Sequence, residues 1–251
     1  MSGHSKWSTI KHAKAITDAR RGKLFTKLTR EIIIAARQGG GDPSMNIRLR
    51  MAMQKAKDAN MPNDNIDRAV KRGTGESGDQ DQMVEFTYEG YGPGGVAIML
   101  QTLTDNRNRT VSDIRSTLTK AGGNLAQSGA VAWQFEPKGI VVVDAEPDDA
   151  EEFALVAIDA GADDFETFDT TLQIYSPIDR LEEIRQTLTD TDAAIVSSEL
   201  SMIPNSTITL DRKVANQILR LLDQLEELDD VQKVYSNADF PDEVLEQYRD
   251  E

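Results

Sequence analysis

The chain has no cysteine in 251 residues. That excludes disulfides, thiolate metal sites and cysteine nucleophiles together, and it fits a reducing compartment. Histidine is almost absent. His4 and His12 are the two present, both near the start, so no histidine base is available to a cleft in the body. As a metal pair they lack a further ligand nearby. Long apolar runs are missing too. The richest, Ile32-Ile33-Ile34-Ala35-Ala36, falls far short of the roughly 20 residues of a membrane span. The first residues are polar and basic, without the apolar core of a signal peptide. No membrane partner is expected, and the expected location is the cytoplasm. Finally, no acid occurs before Asp18.

That last absence belongs to a larger asymmetry. Residues 1–75 hold 16 Lys+Arg against 6 Asp+Glu, a net of +10, whereas residues 76–251 hold 12 against 37, a net of −25. The overall pI near 4.6 hides this division. A basic segment of such density attracts polyanions, and the acidic remainder repels them. Binding is therefore expected at one end.

Punctuation and period divide the chain further. Residues 1–16 read as a basic arm carrying Lys6, Lys11 and Lys14. A helix is expected from Asp18 to Gln38, ended by Gly39-Gly40-Gly41. At 100° per residue, Arg20, Lys23, Lys27, Arg30 and Arg37 fall within about 100° of one another. Phe25, Leu28, Ile32 and Ala35 lie opposite, while Ile34 falls inside the basic stripe. Asp42-Pro43 reads as the start of a second helix reaching Ala59. Asn63 is placed to cap a third helix through Arg72, stopped by Gly73. A polar linker follows from Thr74 to Gln82, and the period then becomes that of strands.

Strands are expected at 84–88 and 96–103, with Tyr91-Gly92-Pro93-Gly94-Gly95 as the hairpin loop between them. A helix begins at Asn108 or Thr110 and ends at Gly122-Gly123, and a strand runs from Ala130 to Phe135. Residues 139–203 give the order βαββαβ, the ferredoxin-like arrangement. A strand at 207–210, a helix from Asp211 to Leu228 and a strand at 231–235 follow. The expected fold is multidomain, α and α+β. A three-helix bundle (17–75) precedes two α/β domains. The ferredoxin-like one (138–203) is inserted in the other (76–137 plus 204–240), and 241–251 is an acidic tail.

The candidate polyanion contacts are Lys6, Trp7, Lys11, Lys14, Arg20, Lys23, Lys27, Arg30, Arg37, Arg48, Arg50, Lys55, Lys57, Arg68, Lys71 and Arg72. The density of like charge carries the helix stripe, since Glu31 is the only acid between Lys23 and Arg37. Such cations supply affinity and salt dependence without reading sequence. Trp7, between Lys6 and Lys11, has two readings: stacking on an unpaired base, or anchoring by burial. Arg107 and Arg109 stand at a helix start in an acidic domain. They form either a secondary anion site or an internal ion pair. The glycine-rich loop at 91–95 precedes a strand and lacks Gly-Lys-Ser/Thr, so it is a turn rather than a nucleotide site. Asp148/Asp149 and Asp163/Asp164 sit where capping explains them. No enzyme, cofactor, metal or small-molecule substrate is indicated.

With these residues laid out, the chain resembles the YebC/PmpR family. The matching blocks are GHSKW at 3–7, LFTKLTREIIIAARQGG at 24–40 and AMQKAKDANMPNDNIDRAVKRGTG at 52–75. Further blocks are YEGYGPGG at 88–95, LTDNRNRTVSDIRSTLTKAGGNL at 103–125 and GAVAWQFEPKG at 129–139. Ile47 departs from the pattern, where the family often has proline. The resemblance implies a helical N-terminal domain, two α/β domains and a role as a DNA-binding transcriptional regulator. It equally implies an alternative, since mitochondrial relatives are translational activators and bacterial members are linked to the ribosome. A ribosomal-RNA-associated translation factor and a protein–protein adaptor therefore stand beside the DNA-binding regulator.

Overall fold

The computed structural model describes residues 7, 18–76, 83–168 and 170–250, and for 18–21, 249 and 250 the backbone alone. Two compact units emerge. One takes the described residues of Lys14–Ala130 with Asn216–Val234, and the other those of Met1–Ala13, Val131–Ala215 and Tyr235–Glu251. These borders differ from the ones composition suggests, because the basic helices group with the first sheet.

The first unit begins with α1 (Asp18–Gly39), α2 (Ile47–Asp58) and α3 (Asn63–Thr74). Helix α1 packs against both others. Leu28, Ile32, Ile33, Ala35 and Ala36 meet Leu49, Ala52, Ala56, Ile66 and Ala69 in one apolar cluster. Small residues supply much of it, so the helices approach closely. Gly73 marks the closest approach. A Cβ there would stand 2.5 Å from the Ile33 carbonyl oxygen and 2.6 Å from the Ala36 Cβ. Gly73 is therefore a packing residue inside α3. The helix ends instead at Gly75, which holds the left-handed φ of 81° that glycine adopts without strain.

The start of α2 also differs from expectation. Asp42 closes a local turn, accepting hydrogen bonds from the Ser44 amide at 2.9 Å and hydroxyl at 2.7 Å. The helix is capped by Asn46, whose Oδ1 accepts from the Leu49 amide at 3.0 Å. The Asn46 amide donates to the carbonyls of Ala35 and Gly40, both at 2.8 Å. One buried side chain thus satisfies the start of α2 and the end of α1. Ile47 occupies the first helical position, where proline is favoured for its fixed φ.

The sheet of this unit has the order β3-β1-β2-β9. Strands β1 (Val84–Tyr91) and β2 (Ala97–Thr104) pair antiparallel, and the short β3 (Asn124–Leu125) joins β1 through Gly90 and Tyr91. Strand β2 reads Ala-Ile-Met-Leu and is buried almost throughout, as a central strand must be. Helix α4 (Arg107–Lys120) begins at the cap Asn106 and buries Thr110, Ile114 and Leu118.

The second unit contains the βαββαβ segment. Its elements are β4 (Phe135–Asp144), α5 (Pro147–Asp159), β5 (Asp164–Phe168), β6 (Thr171–Ser176), α6 (Leu181–Asp190) and β7 (Ala194–Pro204). The strand order β5-β6-β4-β7, antiparallel throughout, is the ferredoxin-like one. Residues 132–134 form a short 3-10 turn where a strand from Ala130 was expected, and β4 starts only at Phe135. Beyond it come β8 (Ile208–Thr209), α7 (Arg212–Glu226), β9 (Val231–Ser236), β10 (Ala238–Asp239) and α8 (Asp242–Asp250). Strands β8 and β10 pair parallel. Segment 241–251, expected as a tail, holds α8 with Val244 and Leu245 buried. The chain passes between units after Ala130, within α7 and within β9.

In the first unit the helices and the sheet meet at one carboxylate. Asp230 is 5% exposed. It accepts from Arg30 of α1 at 3.0 Å, from the Arg109 guanidinium at 2.9 Å, and from the Thr110 and Thr104 hydroxyls at 2.8 and 3.2 Å. Its own carbonyl accepts from the Leu103 amide at 2.8 Å. Burial pushes the Asp230 carboxyl up. The Thr110 and Arg109 hydrogen bonds, with the charges of Arg109 and Arg30, outweigh that and hold it below the ordinary carboxylate range.

Two predictions follow from this packing. Gly73→Ala forces α1 and α3 apart and costs about 1–3 kcal/mol, read as a lower urea midpoint; an unchanged midpoint contradicts the close approach. Asp230→Asn removes a charge from a multiply bonded site and costs about 2–3 kcal/mol at pH 7. A carboxyl depressed in the folded state contributes fully above its unfolded value of about 3.9, and loses that contribution as pH falls through the folded value. The stability gap between wild type and Asp230→Asn therefore closes below about pH 4, measurable by urea titration across pH.

Candidate nucleic-acid interface

The basic row of α1 is spaced 23, 27, 30, 34, 37, a continuous ridge on one side of a helix. The middle of the ridge, from Lys27 to Ile34, is turned inward, while Lys23 and Arg37 at its ends are exposed. The Lys27 ammonium donates to the Glu226 carbonyl at 2.6 Å, and Lys23 reaches the Glu227 carbonyl at a long 3.5 Å. Arg30 donates to the Asp229 carbonyl and the Asp230 carboxylate. Ile34, inside the ridge, is buried, and Arg37 donates to the Met83 carbonyl at 2.9 Å. The last carbonyls of a helix lack partners within it, and cations there also meet the negative end of its dipole. Lys27 and Arg30 thus serve the end of α7 and the turn beyond it, which sets them apart from free phosphate contacts, whereas Lys23 stays exposed.

Other expected contacts are likewise committed. Arg48 of α2 forms an ion pair with Glu85 of β1 and donates to the Gln38 side chain at 2.6 Å. That hydrogen bond with Arg48 holds the Glu85 carboxyl below its ordinary range, against the upward push of partial burial. Arg107 lies over the Phe86 ring at 4.4 Å. Arg109 pairs with Asp105 at 2.8 Å as well as with Asp230. The internal ion pair therefore describes Arg109, while Arg107 stays exposed. Trp7 is 1% exposed, so its indole is not open to a stacking base. Lys6, Lys11, Lys14, His4, His12 and the side chain of Arg20 lie outside the described residues.

Further cations face outward on α2 and α3. Arg50, Lys57, Arg68 and Lys71 are exposed, while Lys55 and Arg72 are half-buried. Arg50 reaches only the Pro43 carbonyl, at 3.3 Å, and Arg68 reaches Asp64 and Asn65 of its own helix. Exposed local bonds of this kind exchange readily with water or a phosphate oxygen. At 100° steps Ile47, Arg50, Gln54 and Lys57 share the outward face of α2 within about 80°. Among the described residues no group of three or more histidines and carboxylates is placed to hold a metal, and no helix is long and apolar enough to cross a membrane.

Sequence reasoning missed Asp230. Its partners stand 120 to 200 positions away along the chain, so no local pattern reveals it. Within α4 it singled out Arg107 and Arg109 alone. A helical-wheel count over residues 108–120 gives an outer face with Arg115 and Lys120 as its cations and Asp113, the one acid, at its edge.

The comparisons with known proteins agree with this layout. Residues 5–76 match the family described as the TACO1/YebC protein N-terminal domain, and residues 83–238 match the TACO1/YebC second and third domain. A probable transcriptional regulatory protein of Dehalococcoides mccartyi is 55% identical over 248 residues, covering 99% of this chain and 98% of that protein. Another, from Halothermothrix orenii, is 51% identical over 254 residues, with complete coverage of both. The crystal structure of a conserved hypothetical protein from Aquifex aeolicus superposes with a TM-score of 0.83 at 45% identity, covering 91% of this chain and 94% of that one. With both segments matched and half the residues shared along its length, this chain belongs to the TACO1/YebC family.

Proposed function

We propose that this protein is a nucleic-acid-binding regulator of gene expression, with transcription as the first reading. The observation that carries it is what survives subtraction. After the internal contacts of α1 and Arg48 are set aside, α2 and α3 still present Arg50, Lys57, Arg68 and Lys71 to solvent. Relatives of nearly equal length are named probable transcriptional regulatory proteins. The reading assigns no catalysis and no cofactor, and it places the protein in the cytoplasm with its nucleic acid.

One observation favours the second reading, a ribosomal-RNA-associated translation factor. The outward face of α2 has few side chains suited to reading a base edge, Arg50, Gln54 and Lys57, and the Gln54 amide already donates to Asp58 at 2.8 Å. Contacts confined to phosphates position a protein without specifying sequence. Such a surface suits a target known by shape, as structured RNA is.

The test is a salt titration of affinity for a labelled DNA duplex and a labelled structured RNA. For the variant with Arg50, Lys57, Arg68 and Lys71 all changed to alanine, each lost phosphate contact lowers the slope of log K against log salt by about 0.9 on duplex. Lys27→Met leaves the slope unchanged and lowers stability instead. Equal slopes for wild type and the fourfold variant contradict the reading. Crosslinking in cells, with both bound DNA and bound RNA sequenced, decides between the two partners.

A further inference from the structure

Outside the basic helices the chain is strongly acidic, yet α4 is not. Its sequence, RNRTVSDIRSTLTK, has four cations and one acid, Asp113. The buried side is set by Thr110, Ile114 and Leu118. At 100° steps from Ser112, the residues Asn108, Arg115, Ser116, Thr119 and Lys120 span about 140° on the opposite side, and Asp113, the one acid, stands at its edge about 20° beyond Lys120. All are exposed. Ser112, Arg115, Ser116, Thr119 and Lys120 line an open depression on this face.

Helix stability does not call for these residues. Lys120, in the last turn, suits the helix dipole, but Arg115 stands mid-helix. Serine and threonine compete with the backbone for hydrogen bonds and are weaker helix formers than alanine, glutamate or lysine. Three hydroxyls on a solvated face therefore cost stability where packing does not require them. Departures from local preference of this kind collect at functional sites. Hydroxyl, amide and guanidinium groups are the set that contacts phosphate and sugar.

The location is suitable as well. Helix α4 belongs to the same unit as α1 to α3. Asp230 accepts from Arg30 of α1 and from Arg109 in the first turn of α4, so the two helices are bound to one carboxylate. From Asn108 to Lys120 the face extends roughly 18 Å, enough to follow several phosphates spaced about 3.4 Å along each strand.

We propose that the outer face of α4, through Ser112, Arg115, Ser116, Thr119 and Lys120, is a second contact surface for the sugar–phosphate backbone of a bound nucleic acid. It rests on the nucleic-acid reading above and extends it from the helical bundle onto the α/β part of the chain. The site lies further along the helix than Arg107, which lies over the Phe86 ring, and Arg109, whose guanidinium is paired with Asp105 and Asp230.

Two full-length variants test it by salt titration with the same DNA and RNA probes, alongside thermal melts. Arg115→Ala/Lys120→Ala is expected to lower the duplex slope by up to about 1.8, two phosphate contacts. Ser112→Ala/Ser116→Ala is expected to raise the melting temperature while weakening binding; a merely structural role for these serines would move both readouts the same way. If wild type and both variants bind alike with equal slopes, the α4 surface is refuted and the nucleic-acid reading stands. If wild type binds neither probe, the nucleic-acid reading fails and the α4 proposal fails with it. A slope lowered by the α4 variant but not by the fourfold α2–α3 variant supports this surface and refutes the other.

Discussion

Carbonyl groups at the end of a buried helix need donors, and a buried carboxylate needs counter-charge. Both demands meet at residues 226–230. The end of α7 presents the Glu226 and Glu227 carbonyls, the following turn presents that of Asp229, and Asp230 adds its charge. Lys23, Lys27 and Arg30 answer from α1, and Arg109 and Thr110 answer from α4. The first unit depends on this junction, because it ties a helix whose own core is rich in alanine and isoleucine to a sheet whose central strand is buried.

The junction explains why a basic stripe is an ambiguous signal. A row of lysine and arginine reports a need for negative charge or for carbonyl oxygens, and it does not report where those oxygens come from. Ile34 held the clue. An isoleucine in the middle of a cationic ridge is costly on a solvated face and expected on a covered one, and Ile34 is buried. The middle of the ridge is thus a contact face, where Ile34 is buried and the heads of Lys27 and Arg30 find carbonyls.

Local pattern made much of the fold legible. The short apolar run Ile140 to Val143 marks β4, the Pro147-Asp148-Asp149 start marks α5, and the order βαββαβ leads to the ferredoxin-like sheet. Failures occurred where a tertiary partner decides the local outcome. Gly73 looked like a helix stop and proved to be a point of helix contact, because its role depends on Ile33 and Ala36. Asp42 looked like a cap and yielded to Asn46, which bonds both helices at once. The acidic C-terminal segment seemed a tail because its charge hides the pair Val244 and Leu245. The site was legible in its general position, among the basic helices. Which cations face outward was not, since Arg48 is withdrawn by Glu85, far along the chain.

The central claim is that cations in this chain divide into those that hold α1 to the body and those that hold a polyanion. Lysine footprinting of the intact protein by acetylation and mass spectrometry, with and without saturating nucleic acid, tests that division directly. Lys57, Lys71 and Lys120 should become protected on binding, while Lys27, already bonded to the Glu226 carbonyl, should show the same low reactivity in both states. Protection that appears at Lys27 and spares Lys57, Lys71 and Lys120 would contradict the account.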